Sequence, residues 1–200
     1  DDGDDYTYIT VASSQVDGEG TLVEGGEITW DQNTRTYTFD PGEDFQYLKE
    51  GELLPLTFNY QVQDQSDNLS TEATISLVVE GQNDETIASD NTINAMEDGA
   101  LVPDSVVIED ADVGDVYVYS IVEDLDEGEG SVTLNASTGD YEFDPGEDFQ
   151  YLREGQLIEV DFTYKTTDQN GIDSNVATIG IIVTGVNDPA TAQNDALNAI

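Results

Sequence analysis

The sequence predicts an all-β chain made of two tandem β-sandwich modules, and three observations carry that reading. The stretch Phe39-Asp40-Pro41-Gly42-Glu43-Asp44-Phe45-Gln46-Tyr47-Leu48 recurs letter for letter as Phe143 to Leu152, an offset of 143 − 39 = 104 residues. From 39 to 53 against 143 to 157, 13 of 15 positions are identical, with Lys49 facing Arg153 and Glu52 facing Gln156 as the only changes. A fixed period of this kind marks one structural plan used twice. Apolar and polar residues alternate along short segments, the period of a half-buried strand. Gly, Asp and Asn clusters bound those segments, and seven short strands per repeat suggest a sandwich.

In the second repeat the pattern predicts strands near 92–96, 105–109, 115–122, 131–135 and 139–143. A sixth strand alternates Val160, Phe162 and Tyr164 with Glu159, Asp161 and Thr163, and a seventh carries Ala177, Ile179, Ile181 and Val183. The first repeat answers with Leu56, Phe58, Tyr60 and with Ala73, Ile75, Leu77, Val79. Consecutive strands joined by short polar loops pair antiparallel. Between the fifth and sixth strands Pro145 and Gly146 break the chain, and the repeated stretch reads as a corner plug. There Asp148 is expected to cap a short helical turn carrying Phe149 and Leu152.

The front of the first repeat departs from this plan. Aligning Gly3–Tyr8 on Gly114–Tyr119 needs an offset of 111, so about seven extra residues are expected near 9–27, in a loop. Asp1 then falls opposite Asp112, and the first module has no counterpart of the first two strands. The tail Asn194–Ile200 matches Asp90–Met96 and reads as the opening strand of a third unit. The expected organisation is therefore module one at 1–84, a linker at 85–91, module two at 92–188, and a linker with a first strand at 189–200.

Charge is the extreme property. There are 45 acidic residues against four cations, Arg35, Lys49, Arg153 and Lys165, for a formal net charge of −41. Such a chain repels nucleic acid and anionic membrane surfaces, and it repels itself unless bound cations offset the charge. Cysteine and histidine are both absent, which removes disulfides, thiolate sites and the usual imidazole ligand and base, so zinc, copper and haem fit poorly. No apolar run reaches the ~18 residues that span a bilayer, so direct membrane insertion is not expected. A hard divalent cation is the partner that so many carboxylates favour.

Alternating strand direction sorts the loops. Loops 109–115, 135–139 and 168–174 should share the end that receives the incoming chain; loops 97–104, 123–130 and 144–156 should share the other, with Asn187 and Asp188. At the junction this places Asp40, Glu43, Asp44, Asn83 and Asp84 near Asp110, Asp112, Asp115, Asp168 and Asp173. The linker adds Asp90, and the far end of module two collects Glu97, Asp98, Asp144, Glu147 and Asp148 with Asn187 and Asp188. Calcium (Ca2+) takes six to eight oxygen ligands and suits such a cage better than magnesium does. Asp110-Ala111-Asp112-Val113-Gly114-Asp115 opens like an EF-hand loop, but its twelfth position would be Ile121, so that motif is rejected.

Gly185-Val186-Asn187-Asp188-Pro189 closing a repeat, Glu97-Asp98-Gly99 opening one, Asp110-x-Asp112 before Tyr117-x-Tyr119, and Phe162-x-Tyr164-x-x-x-Asp168 carry a resemblance. In order and spacing they resemble the Ig-like, VCBS or cadherin-like repeats of giant bacterial RTX adhesins, secreted by the type I route. The resemblance implies Ig-like/cadherin-like Greek-key sandwiches, the first N-terminally truncated, with calcium at the junctions. By similarity to cadherins, the junction ligands fall on Asp40, Glu43, Asp44, Asn83, Asp84, Asp110 and Asp112, and Glu97 or Asp98 serves the junction to a third module. It further implies a secreted, cell-surface spacer that projects a distal binding domain in adhesion and biofilm formation.

Other classes fit less well. An enzyme would have to use a carboxylate pair, and with this many acids chance pairs are expected. A carbohydrate-binding module is the alternative, with Tyr6, Tyr8, Tyr47, Tyr117, Tyr119 and Tyr151 as a stacking platform; half-buried strand tyrosines explain the same pattern. The sequons Asn68-Leu69-Ser70 and Asn135-Ala136-Ser137 are two matches that chance supplies. The unpaired first strand at 190–200 and the open edge of module one also predict weak head-to-tail self-association.

Overall fold

The computed structural model describes residues 6–11, 16–17, 23–190 and 192. The expected register at residues 1–5, much of the inserted loop and the tail strand at 194–200 lie outside these residues. Among them the chain is all β, and it divides into two compact units, residues 1–84 with 110–115, and residues 85–109 with 116–200. The segment 110–115, which belongs to the second sequence repeat, groups with the first unit.

Unit two contains β7 (Ile87–Ser89), β8 (Asn91–Met96), β9 (Val102–Ser105), β10 (Val107–Glu109), β11 (Val118–Glu123), β12 (Ser131–Leu134), β13 (Asp140–Asp144), β14 (Leu157–Thr167) and β15 (Ala177–Thr184). One sheet has the order β11-β14-β15-β8, a second β12-β13-β9, and β7 pairs with β10. The last strand, β15, runs antiparallel to β14 and parallel to β8, from Ile179 opposite Asn91 to Thr184 opposite Met96. The predicted alternation becomes an inward row of Val160, Phe162 and Tyr164 on β14 and of Ile179, Ile181 and Val183 on β15, all buried. Tyr141, Phe143, Phe149 and Leu152 close the core from the other sheet and the corner. Burying such side chains stabilises each by about 1.5–3 kcal/mol.

Several expected elements are re-bounded. The strand at 105–109 is two strands, because the backbone breaks at Val106, whose N–H donates to Gly139 O at 3.0 Å. The strand expected from 115 starts at Val118, since Asp112 to Asp115 form a turn with Asp115 N donating to Asp112 O at 3.4 Å. The corner plug holds no helix. It is a chain of turns with Leu152 N donating to Phe149 O, and Asp148 does not cap it; its Oδ2 accepts from Gly130 N at 3.0 Å instead. The linker also contains an unexpected strand, β7. Asn175 binds it like a neighbouring backbone, accepting from Ala88 N and donating to Ala88 O, both at 2.8 Å.

Tyr164 sets the position of β7 and β10 on the core. Its hydroxyl lies 2.8 Å from Ser89 O and 2.9 Å from Val107 O, one carbonyl from each strand. Tyr164→Phe leaves one or both carbonyls short of a donor and should cost about 1–2 kcal/mol, read as a lower thermal midpoint with the sheet signal retained.

Unit one contains β1 (Thr7–Thr10), β2 (Val16–Asp17), β3 (Glu27–Asp31), β4 (Thr36–Asp40), β5 (Leu53–Gln63) and β6 (Ala73–Glu80). The long β5 pairs with β1, β2 and β6, all antiparallel, and β3 and β4 form a hairpin. Its buried core is Phe45, Leu48, Leu56 and Phe58, the repeat equivalents of Phe149, Leu152, Val160 and Phe162. Tyr37 is 44% exposed where its equivalent Tyr141 is 1% exposed. Trp30 stacks on Tyr8 at 4.9 Å, and Tyr60 lies 5.1 Å from the same indole.

Candidate metal centre

Among the described residues, Glu97, Asp112 and Asp168 are buried and the Asp115 side chain is 1% exposed; Glu97 and Asp112 are the centres of two acidic clusters. In unit two the short turn after β8 carries Glu97, which is only 1% exposed. Its backbone N–H donates to Thr184 O at 3.0 Å, continuing the β8–β15 pairing, and this forces the carboxylate inward. Val186 N donates to Glu97 Oε1 at 2.6 Å, while Oε2 is buried and accepts no hydrogen bond. The side chain lines a polar cleft with Asp98, Gly99, Gly146, Glu147 and Gln150. Gln150 belongs to the repeated stretch and donates to Asp98 Oδ1 at 2.8 Å. Leaving a buried charged oxygen unpartnered costs about 1–3 kcal/mol or more, which a bound cation would offset.

In unit one the corresponding chemistry centres on Asp112, 3% exposed. Its Oδ2 accepts from Asp84 N at 2.9 Å, its own N–H donates to Asp110 Oδ1 at 3.0 Å, and its Oδ1 is buried and accepts no hydrogen bond. Burial raises the Asp112 pKa, as do the charges of Asp110, Asp115 and Asp84, against the lowering effect of the Asp84 N–H. Gln46, with its amide nitrogen toward Asp84, donates to both carboxylate oxygens at 2.9 and 3.0 Å. Lys49 supplies the positive charge of the group, 3.2 Å from Asp115 and donating to Gly114 O. The sequence shows Lys49 as one of four cations and as a change within the repeat, and neither pattern assigns it, Gln46 or Gln150 to the acidic groups.

The other predicted residues are placed as follows. Asp44 Oδ2 accepts from Gly26 N at 2.8 Å, the same bond that Asp148 makes to Gly130, so both acids tether the loop before a hairpin. Asp40 and Asp144 each accept from the glycine two residues on, Gly42 and Gly146, at 3.0 Å, and Glu43 is exposed. Asp90 Oδ1 accepts from Thr178 N at 2.7 Å. Asp168, buried, accepts from Asn170 N and Ile172 N and closes its own loop. Asp173 binds Lys165 and Thr167 Oγ1, and those hydrogen bonds hold its pKa down. Asn83 Nδ2 donates to Asp84 O and Asn187 Nδ2 to Asp188 O, the same linker turn twice; Asp188 is exposed. The structure thus gathers Asp84, Asp110, Asp112 and Asp115 in one unit, and Glu97, Asp98 and Glu147 in the other. Among the described residues, no three acidic side chains stand as they are in an arrangement that would hold a metal ion.

The raised pKa of Asp112 has a definite sign. A folded carboxylate with a raised pKa binds its proton more readily than the unfolded chain does, so stability rises as pH falls from neutrality toward the ordinary carboxylate range. The lowered groups Asp31 and Asp64, held by bonds from Thr34 and Asn68, act oppositely, and their contribution is lost only as pH falls below the ordinary carboxylate range. In chelator, Asp112→Asn should flatten the first trend and leave the second, as measured by thermal unfolding across pH.

Residues 83–182 match the family model described as Bacterial Ig domain. The chain belongs to the bacterial Ig domain family. Membership points to an extracellular or surface module. Among solved structures, this bacterial Ig chain is similar to human mucin-like protocadherin EC1-2 at 15% identity and TM-score 0.54, with 92% of this chain and 86% of that chain covered. It is also similar to Drosophila N-cadherin EC1-4 at 12% identity and TM-score 0.49, covering 92% of this chain and 43% of that one. At 15% identity the likeness to the protocadherin shows the fold alone, two tandem sandwich modules of Ig/cadherin type. No curated protein matches the sequence. Among the described residues, no helix is long and apolar enough to cross a membrane.

Proposed function

We propose that this bacterial Ig chain is a calcium-rigidified extender segment of a large secreted surface adhesin, projecting a distal binding domain in adhesion and biofilm formation, with no catalytic role. The observation that carries the reading is Glu97, a carboxylate buried with one oxygen unpartnered, beside Val186 and the Asn187-Asp188 linker. Its donor set is all oxygen, which suits a hard cation. At that end of unit two, Glu97, Asp98 and Glu147 would hold calcium, with Asn187 and Asp188 completing the set. In unit one, Asp84, Asp110 and Asp112 would do so with Asn83. Calcium supplies positive charge to carboxylates that otherwise repel one another, and converts a polar linker into part of a coordination shell.

The test is a calcium titration by calorimetry on the whole chain and on Glu97→Gln. The amide keeps the bond from Val186 and removes the buried charge. The variant should lose one class of calcium sites, unfold later than the parent in chelator and earlier than the parent in calcium. Identical titrations for both proteins would sink the assignment of Glu97.

The carbohydrate-binding alternative rests on the partly exposed cluster of Tyr8, Trp30 and Tyr37. In unit two the equivalent Tyr141 is in the core, which favours the core explanation. A glycan array with calcium present should show no binding.

A further inference from the structure

The two acidic groups differ in one component. Asp84, Asp110, Asp112 and Asp115 share unit one with the ammonium of Lys49, whereas among the described residues no lysine or arginine forms an ion pair with Glu97, Asp98 or Glu147. Lys49 Nζ stands 3.2 Å from Asp115 Oδ1 and donates to Gly114 O. The Asp115 side chain is 1% exposed and that of Lys49 29%, so the pair has a buried carboxylate and a partly wet ammonium. Its attraction is screened less than that of a pair lying open on the surface.

The identity of the two acceptors matters. A carboxylate oxygen and a backbone carbonyl oxygen are both ligand types that calcium takes. The turn from Asp112 to Asp115 presents them together: Asp115 N donates to Asp112 O at 3.4 Å, and Gly114 supplies a left-handed conformation, φ +81, that favours glycine. Val113 N, donating to Tyr47 O at 3.4 Å, holds the same turn against the corner that carries Lys49. A lysine ammonium has three donors and no acceptor, so it meets these oxygens as a metal cation would. It does not serve every acid of the group. Asp112 Oδ1 is buried and accepts no hydrogen bond from Lys49 or any other donor.

We propose that Lys49 is a tethered cation in a calcium-type position, its ammonium filling the place between Asp115 Oδ1 and Gly114 O and leaving Asp112, with Asp84 and Asp110, to a metal ion. The group then takes one calcium ion fewer than its oxygens could hold, and removing the ammonium opens the second position. The identity of the ion rests on the calcium reading above, and the place of Lys49 on the ion pair itself.

Calorimetric titration of the whole chain with calcium chloride tests this, in ~0.15 M sodium chloride to screen diffuse charge. Lys49→Met keeps most of the side-chain stem and should bind one more calcium ion per chain than the parent, with a dissociation constant of about 10⁻⁴–10⁻³ M, the range of extracellular modules. Lys165→Met removes the same charge from the exposed pair with Asp173 and should add no site. Combining Lys49→Met with Asp115→Asn should abolish the added site, with circular dichroism showing the sheet retained in every variant. An unchanged stoichiometry in Lys49→Met, an added ion in Lys165→Met, or an added ion that survives Asp115→Asn would each overturn the proposal. Calcium bound equally by the parent and Lys49→Met overturns the role of Lys49 and leaves the calcium reading standing. An ion bound by Lys49→Met and none by the parent does the reverse.

Discussion

Saturating calcium should raise the midpoint of thermal unfolding by roughly 10–20 °C. At a free concentration one hundred times the dissociation constant, each site stabilises the folded state by about 2.7 kcal/mol, and a domain of this size gains about 4–8 °C per kcal/mol. The source of the effect is specific. Glu97 and Asp112 each keep a buried carboxylate oxygen without a hydrogen-bond partner, and the unfolded chain returns both to water. Monovalent salt screens the diffuse charge but does not fill a coordination shell, so sodium chloride at matched ionic strength should give a much smaller rise. An equal rise with sodium chloride would assign the acid excess to solubility.

Phe162→Ala should destabilise unit two by about 3–5 kcal/mol, the range for removing a fully buried phenylalanine. Phe162 has no exposed surface and packs on Tyr141 with ring centroids 5.3 Å apart, between two sheets that cannot close over the void. Among the described residues, its repeat equivalent Phe58 lies in a smaller core, beside Phe39 at 5.5 Å. Phe58→Ala should cost less, because the partly open face of unit one lets water and neighbouring side chains fill the space. Chemical denaturation of the two variants, followed by near-ultraviolet circular dichroism, reads the difference directly. Equal losses would mean that the core of unit one is as tightly enclosed as that of unit two.

Strand alternation was legible because its cause is local: side chains of successive residues point to opposite faces, so Val160, Phe162 and Tyr164 declare their strand in any context. The repeat made the corner stretch legible too, since the same buried pair, Phe149 with Leu152 and Phe45 with Leu48, recurs with the same spacing. What was not legible depends on tertiary partners. β7 exists because the Asn175 side chain, 87 residues away, pairs with Ala88 like a strand. Asp148 looked like a cap from its neighbours, yet its carboxylate is drawn to Gly130 across a hairpin. The acids themselves were easy to find and hard to rank. Composition makes all 45 alike, and only burial distinguishes Glu97 and Asp112 from acids such as Asp44 or Asp173 that bind backbone or side-chain donors. Lys49 escaped notice for the related reason that its value lies in Asp115 and Gly114, far along the chain.

The central claim is that calcium replaces a hinge with a cross-link, and small-angle scattering at moderate salt tests it most directly. The segment from Gly81 to Thr86, between β6 and β7, is polar and acidic, and calcium held by Asn83, Asp84, Asp110 and Asp112 would fix it. The account predicts a narrow distribution of particle lengths with calcium and a broad one after chelation, with circular dichroism showing both units folded in each condition. The same maximum dimension and the same spread in both conditions, with both units folded, would contradict it.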